Sequence, residues 1–184
     1  MTVVDSAPSI PSRFVVTLVA AEDHRNSIHP GVDPIAMLRA LLIWLRAGRV
    51  QGASTIEQQL VRVVLGCYER TLRRKLREQL VAVALSYKRS KTQIATAYLS
   101  NAFYGSGLYG LAALTYVCKP NLETASQDNI SHMVARLKYP KPLSPTTEWH
   151  QRINTRAQYI TIRLHRSANR SFHQMLRDKA AQLR

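Results

Sequence analysis

The sequence predicts a mainly α-helical domain, on three observations. Apolar residues recur every three or four positions through most of the chain. Helix-capping residues stand ahead of several of those runs. No stretch shows the strict alternation of a half-buried strand. At 184 residues the chain is expected to be one domain, and 46% hydrophobic residues suffice for a core.

The elements follow in order. The first ten or so residues read as a tail. Phe14, Leu18 and Glu22 fall at i, i+4 and i+8, so a carboxylate ends an apolar helical stripe. Burial there is expected to raise its pKa, which suits an acid or base working near neutral pH. Pro34 opens a second helix running to about Ala47, and Gly48 ends it. Ser54 with Glu57 reads as a capping box, placing a helix N-terminus with free N–H groups at Ser54-Thr55. Thr55 reads equally as a cap or a ligand contact. Leu72, Leu76, Leu80 and Val83 mark the apolar face of a helix from about Glu69 to Tyr87. Ser90 and Gln93 cap the next helix, which carries Ile94, Ala97 and Tyr98. A loop with Gly105, Gly107 and Gly110 precedes a short helix ending near Val117. Beyond Lys119 come a helix around Asn129 to Leu137 and a turn with Pro140, Pro142 and Pro145. Ile153, Ala157, Ile160 and Leu164 then share one helix face. A separate terminal helix carries Phe172, Leu176 and Leu183.

The chain has 26 Lys and Arg against 11 Asp and Glu, a net charge of +15. That implies an anionic partner: a phosphate-bearing substrate, an anionic membrane surface or nucleic acid. No nucleic-acid recognition motif is present. Cys67 and Cys118 stand far apart without a CxxC, so they frame neither a metal site nor a disulfide scaffold. No run approaches the ~18 apolar residues of a membrane span. The run 14–21 lacks the basic leader and cleavage site of a signal peptide.

Chemistry concentrates in the first half. Glu22-Asp23 with His29 and Gly31, the run Gly52 to Gln59, and Arg74-Lys75-Leu76-Arg77-Glu78 set two carboxylates around a helix start and a cationic cluster. Group transfer from a diphosphate needs such a set: one carboxylate takes a proton, and cations stabilise the departing phosphate. For Glu22 the competing reading is an ion pair with nearby Arg25. For Glu78 it is a structural pair with Arg74 at i−4. Arg73 and Arg77 read as a solvated helix face. Asp23 either binds a divalent ion or braces the site, and His29 organises the first loop.

These segments resemble the glycosyltransferase family 51 domain, the peptidoglycan transglycosylase of penicillin-binding proteins and of monofunctional cell-wall transglycosylases. Its first motif is matched from Glu22-Asp23 to His29-Pro30-Gly31, its second from Gly52 to Gln59 with Arg62-Val63, and its third at Arg74-Lys75 with Glu78. The fourth stands at Lys91, Ile94 and Tyr98-Leu99-Ser100, followed by Gly105, Gly107 and Gly110. Four motifs in order over residues 20–119 form a specific signal.

The resemblance implies one transglycosylase domain over residues 1–184. Its motif-bearing part is 14–119 and its C-terminal helical part is 120–184. The implied fold is lysozyme-like and helical, with a smaller membrane-facing subdomain. The implied activity is polymerisation of lipid II, a lipid-diphosphate-linked disaccharide-peptide, into glycan strands. By resemblance Glu22 is the general base and Glu78 supports the diphosphate. Arg62, Arg70, Arg74 and Lys75 contact phosphate, while Ser54, Gln58 and Gln59 bond sugar and phosphate oxygens. A divalent cation such as Mg or Mn is implied, with Asp23 its candidate ligand, and no nucleotide cofactor is expected. Implied partners are lipid II, the growing strand, an anionic membrane surface and other cell-wall synthesis proteins, but not nucleic acid. The implied place is the outer face of the cytoplasmic membrane, although this chain shows no export signal or membrane span of its own.

Departures from the family pattern are Asn26 for an aromatic residue, Glu57 for threonine, Arg62 for lysine, Val63 and Ser100 for asparagines, and Val117-Cys118 for Phe-Gly. Glu57 would weaken diphosphate binding unless it points away. The alternative reading is therefore a weak or inactive member that binds lipid II or glycan, or acts as a scaffold. A glycan hydrolase would use two carboxylates but leave the cations idle.

Overall fold

The computed structural model of the chain describes residues 2–69 and 71–182, with side chains described within 3–167 and at 169. Arg70 lies outside the described residues, as do the side chains of Phe172, Leu176 and Leu183. The fold is mainly helical, as expected, with one small two-stranded hairpin.

Residues 2–10 are structured, unlike the expected tail. Helix α1 (Thr2–Asp5) and the turn after it bury Val4 and Ile10. Arg89 also clamps Asp5 through Nε at 2.8 Å and Nη2 at 2.7 Å. Helix α2 (Ser12–Glu22) buries Phe14 and Leu18 completely and ends on Glu22. Helix α3 (Pro34–Ala47) has the expected ends. The Asp33 carboxylate accepts from the amides of Ile35 and Ala36, and Gly48 adopts φ +60°. Only Ala36 of α3 is buried.

Helix α4 (Ile56–Leu65) starts one residue later than the expected capping box. The Gln58 amide donates to the hydroxyl of Thr55, not Ser54. Thr55 Oγ1 in turn donates to the Gly31 carbonyl at 2.6 Å, which ties the cap to the first motif. Helix α5 (Leu72–Lys88) is capped by Thr71, and the expected apolar stripe does not face the core. Leu72 and Leu80 are 77% and 73% exposed, and the described residues α5 buries are Glu78 and Ala82. Gly31 lies against this helix at φ +93°, where a Cβ would meet the Ala82 carbonyl oxygen at 2.4 Å.

Helix α6 (Lys91–Asn101) carries the full Ser90–Gln93 capping box and buries Ile94, Ala97 and Tyr98. The glycine segment holds the hairpin that periodicity missed, β1 (Phe103–Gly105) against β2 (Leu108–Tyr109). Strands of three and two residues are too short to register as alternation. Helices α7 (Gly110–Val117) and α8 (Gln127–Arg136) follow. The two expected C-terminal helices are one, α9 (Thr147–Gln182). No proline or glycine interrupts that span, so nothing local breaks it.

The core lies where α2, α8 and α9 pack together and α6 lies across α2 and α4. Its fully buried side chains include Phe14, Leu18, Ile56, Leu60, Ile94, Leu99, Ile130, Met133 and Ile160. No helix among the described residues is long and apolar enough to cross a membrane.

Candidate active site

Glu22 sits at the C-terminal end of α2 on the wall of an open cleft of about 920 Å³. Its carboxylate is held on both oxygens. Arg156 Nη2 of α9 donates to Oε1 at 2.8 Å and also to the Ala21 carbonyl at 3.0 Å. Gln59 Nε2 of α4 donates to Oε2 at 3.4 Å. Arg25 does not pair with Glu22; its Nε bonds Asp33 at 2.8 Å. The Glu22 side chain is part-buried at the cleft edge, not sealed in the core as the apolar stripe suggested.

Ser54, Gln59 and Arg62 line the same cleft as Glu22. Because Thr55 takes the cap, the Ser54 hydroxyl is left to accept from Lys75 Nζ at 3.1 Å and Arg62 Nη2 at 3.4 Å. Gln58 is placed differently from the expectation. It is fully buried, and its Oε1 accepts from Lys75 Nζ at 2.6 Å, so it props the lysine from beneath.

Glu78 anchors the cationic cluster. Arg62 donates to it through Nε at 3.2 Å and Nη2 at 3.0 Å, Lys75 through Nζ at 2.7 Å, and Arg74 through Nη1. Only 3% of the carboxylate side chain is exposed. Burial pushes its pKa up, but hydrogen bonds from Arg62 and Lys75 outweigh that and hold it below the usual carboxylate range. Burial pushes the Lys75 ammonium down, against the raising pull of Glu78. The Arg74 pair at i+4 is therefore one strand of a three-cation knot. Arg73 and Arg77 face a separate hollow of about 220 Å³, lined also by Arg62, Arg74 and Glu78.

Asp23 points away from the cleft. The Gly31 amide donates to His29 Nδ1 at 3.2 Å, so the ring proton sits on Nε2 and is donated to Asp23 at 3.0 Å. The same carboxylate accepts from the Ile56 amide at 3.3 Å, at the start of α4. Asp23 and His29 thus join the first motif to the second. Glu57 is fully buried beside them and carries Lys91 Nζ, which also donates to the His29 carbonyl at 2.8 Å. The family departure at Glu57 points into the protein and carries its own cation.

Asp23, His29 and Glu57 bring one ligand-type atom each within 4.8 Å of one another. The His29 N–H and the Lys91 ammonium already meet these two carboxylates, and none of the three lines the cleft. Both oxygens of Glu78 are taken by Arg and Lys side chains. The donors present do not fit a catalytic divalent ion at Asp23.

Sequence reasoning missed the α9 wall of the cleft. Arg152, Arg156 and Arg163 line it, with Arg39 from α3 and His24 opposite. A signal was present: Arg156 directly precedes Ala157 on the helix whose apolar face was legible. Burial, then Arg163 and Arg39, push the His24 pKa below its usual value.

Residues 2–165 match the family model described as Transglycosylase. The chain is 35% identical over 162 residues to penicillin-binding protein 1A of Rickettsia felis, covering 85% of this chain and 20% of that protein. It is 39% identical over 143 residues to penicillin-binding protein 1A of Aquifex aeolicus, covering 76% and 20%. It is 38% identical over 142 residues to penicillin-binding protein 1B of Vibrio cholerae, covering 73% and 18%. The chain spans about a fifth of the length of these relatives. A match over nearly the whole chain places this chain in the transglycosylase family.

Proposed function

We propose that this chain is a peptidoglycan glycosyltransferase that polymerises lipid II into glycan strands. The observation that carries the reading is one cleft holding Glu22, Ser54, Gln59 and Arg62, with Arg62 tied into the Glu78–Lys75–Arg74 knot. A carboxylate and the fixed guanidinium of Arg62, the outer member of that knot, thus face the same space.

The chemistry follows from that arrangement. An acceptor sugar's 4-hydroxyl attacks the anomeric carbon of the donor sugar. Glu22 takes the hydroxyl proton as the new C–O bond forms, a contribution of about 10²–10⁴-fold. The bond to the lipid diphosphate breaks and its electron pair leaves with the phosphate oxygen. Arg62, Arg74 and Lys75 are pre-organised by Glu78 to meet that growing charge, which spares reorganisation in the transition state. No step uses a divalent ion.

Placement supports a lipid-linked substrate. Leu38, Leu41, Trp44 and Leu45 of α3 are exposed, as are Leu72, Leu76 and Leu80 of α5. An uncovered apolar surface on a chain of +15 charge suits the outer face of an anionic cytoplasmic membrane. Of the substitutions that favour a non-catalytic reading, Glu57 faces Lys91 and not the cleft.

The test is polymerisation of labelled lipid II by the purified chain beside Glu22→Gln. Glycan strands are expected from the wild type, with the rate reduced at least about 10²-fold in the variant. No product from the wild type, with lipid II still bound, would replace this reading with a binding or scaffold role.

A further inference from the structure

Glu22 is braced on two sides, and the two braces differ in kind. Arg156 presents only donors, so its contact with Oε1 has one possible sense. Gln59 presents an NH₂ at one end of its amide and a carbonyl at the other. Turned over, it would set a carbonyl oxygen against the Glu22 carboxylate.

One side chain decides which end faces Glu22. Tyr98 Oη donates to Gln59 Oε1 at 2.7 Å, which leaves Nε2 to reach Glu22 Oε2. Tyr98 stands on α6, is 5% exposed, and belongs to the main core. Its ring is therefore fixed by packing. Burial, reinforced by the Glu22 charge, pushes its phenol well above the usual value, so it keeps its proton and remains a donor. Tyr98 does not line the cleft, so its hydroxyl meets the chemistry only through Gln59.

We infer that Tyr98 is a positioning residue for the reaction: through the Gln59 amide it orients the Glu22 carboxylate for proton removal. The relay runs from the core helix α6 through α4 to the last residue of α2. It rests on the proposed reading of Glu22 as the base. On the proposed reading the diphosphate is gripped at Arg62, so losing the phenol hydroxyl acts on kcat and not on KM.

The experiment compares Tyr98→Phe, Gln59→Ala and the double variant, with Glu22→Gln alongside, in lipid II polymerisation, and records Tm for each. Tyr98→Phe is expected to lower kcat about tenfold with KM within about twofold. The double variant is expected to be no slower than Gln59→Ala, because both act on one orientation. Unchanged kcat in Tyr98→Phe, or losses that multiply in the double variant, overturns the inference. So does a loss confined to Tm or KM. A Glu22→Gln protein at full rate overturns the base assignment and the relay together. An inactive Glu22→Gln beside a full-rate Tyr98→Phe overturns the relay alone.

Discussion

Helices α2 and α5 carry the same apolar signal and use it in opposite ways. In α2 the stripe is core: six of its eleven residues are buried, and Glu22 emerges at the end. In α5 Leu72, Leu76 and Leu80 face out, the fully buried described residues are Ala82 and Glu78, and Leu85 is half-buried against the core. Periodicity shows that a helix has two faces. It does not show which face meets protein. In α5 polar bonds join packing on α4 in setting the helix's orientation: Glu78 reaches across to Arg62 of α4, and Lys75 to Ser54 and Gln58. One side of the molecule is thus held by burial, and the other by a polar knot beneath an uncovered apolar surface.

The break that strikes both stability and activity is Glu78→Gln. It keeps the side chain's shape and removes the charge that three cations share. The expected cost is about 3 kcal/mol in urea unfolding, because partly buried cations lose their counter-ion. Polymerisation should fall with it, since Arg62 and Lys75 lose their fixed positions. A variant as stable as wild type would mean that water already carries these charges. Next come paired leucines. Leu18→Ala in α2 is expected to cost about 2–5 kcal/mol, while Leu80→Ala in α5 stays within about 0.5 kcal/mol. On anionic vesicles the order should invert, with Leu80→Ala weakening association more than Leu18→Ala. Equal stability losses would mean that α5 is covered in solution.

What was legible in the sequence was local. Pro34 with Gly48, and Ser90 with Gln93, announce helix ends through groups within four residues of the end, so those bounds hold. The start of α4 was not legible, because Ser54 and Thr55 are equally able to cap. The choice is made by Thr55 bonding Gly31 and by Asp23 accepting from Ile56, and both partners are distant in sequence. Glu22 was legible as the carboxylate at the end of a stripe. Its partner Arg156 was not, because 134 residues separate them and only the packing of α9 on α2 closes that gap. Glu57 gave the opposite error. Read beside the phosphate-facing residues it was a liability, yet one step along a helix turns a side chain about 100°. That step carries Glu57 into the protein, toward Lys91.

The smallest expected effect concerns acid, and it separates the two sides by pH. The Glu78 pKa lies below its usual 4.5 in the fold, so above about 4.5 its contribution to stability is complete. As pH falls through the folded value, the unfolded chain binds more protons than the native one and stability drops. Asp33, also held below its usual 3.8, adds to the same descent. His24 is depressed as well, from a usual 6.5, because burial and then Arg163 and Arg39 oppose its charged form. The sign is the same: protonation favours the unfolded chain, so a shallow loss begins as pH drops below about 6.5 and precedes the carboxylate step. Urea unfolding from pH 8 to pH 2 should therefore fall in two stages. His24→Gln should flatten the first and leave the second, and Glu78→Gln should blunt the second and leave the first. A single stage unaffected by His24→Gln would mean that the cleft wall around Arg39 and Arg163 is open enough for water to screen that histidine.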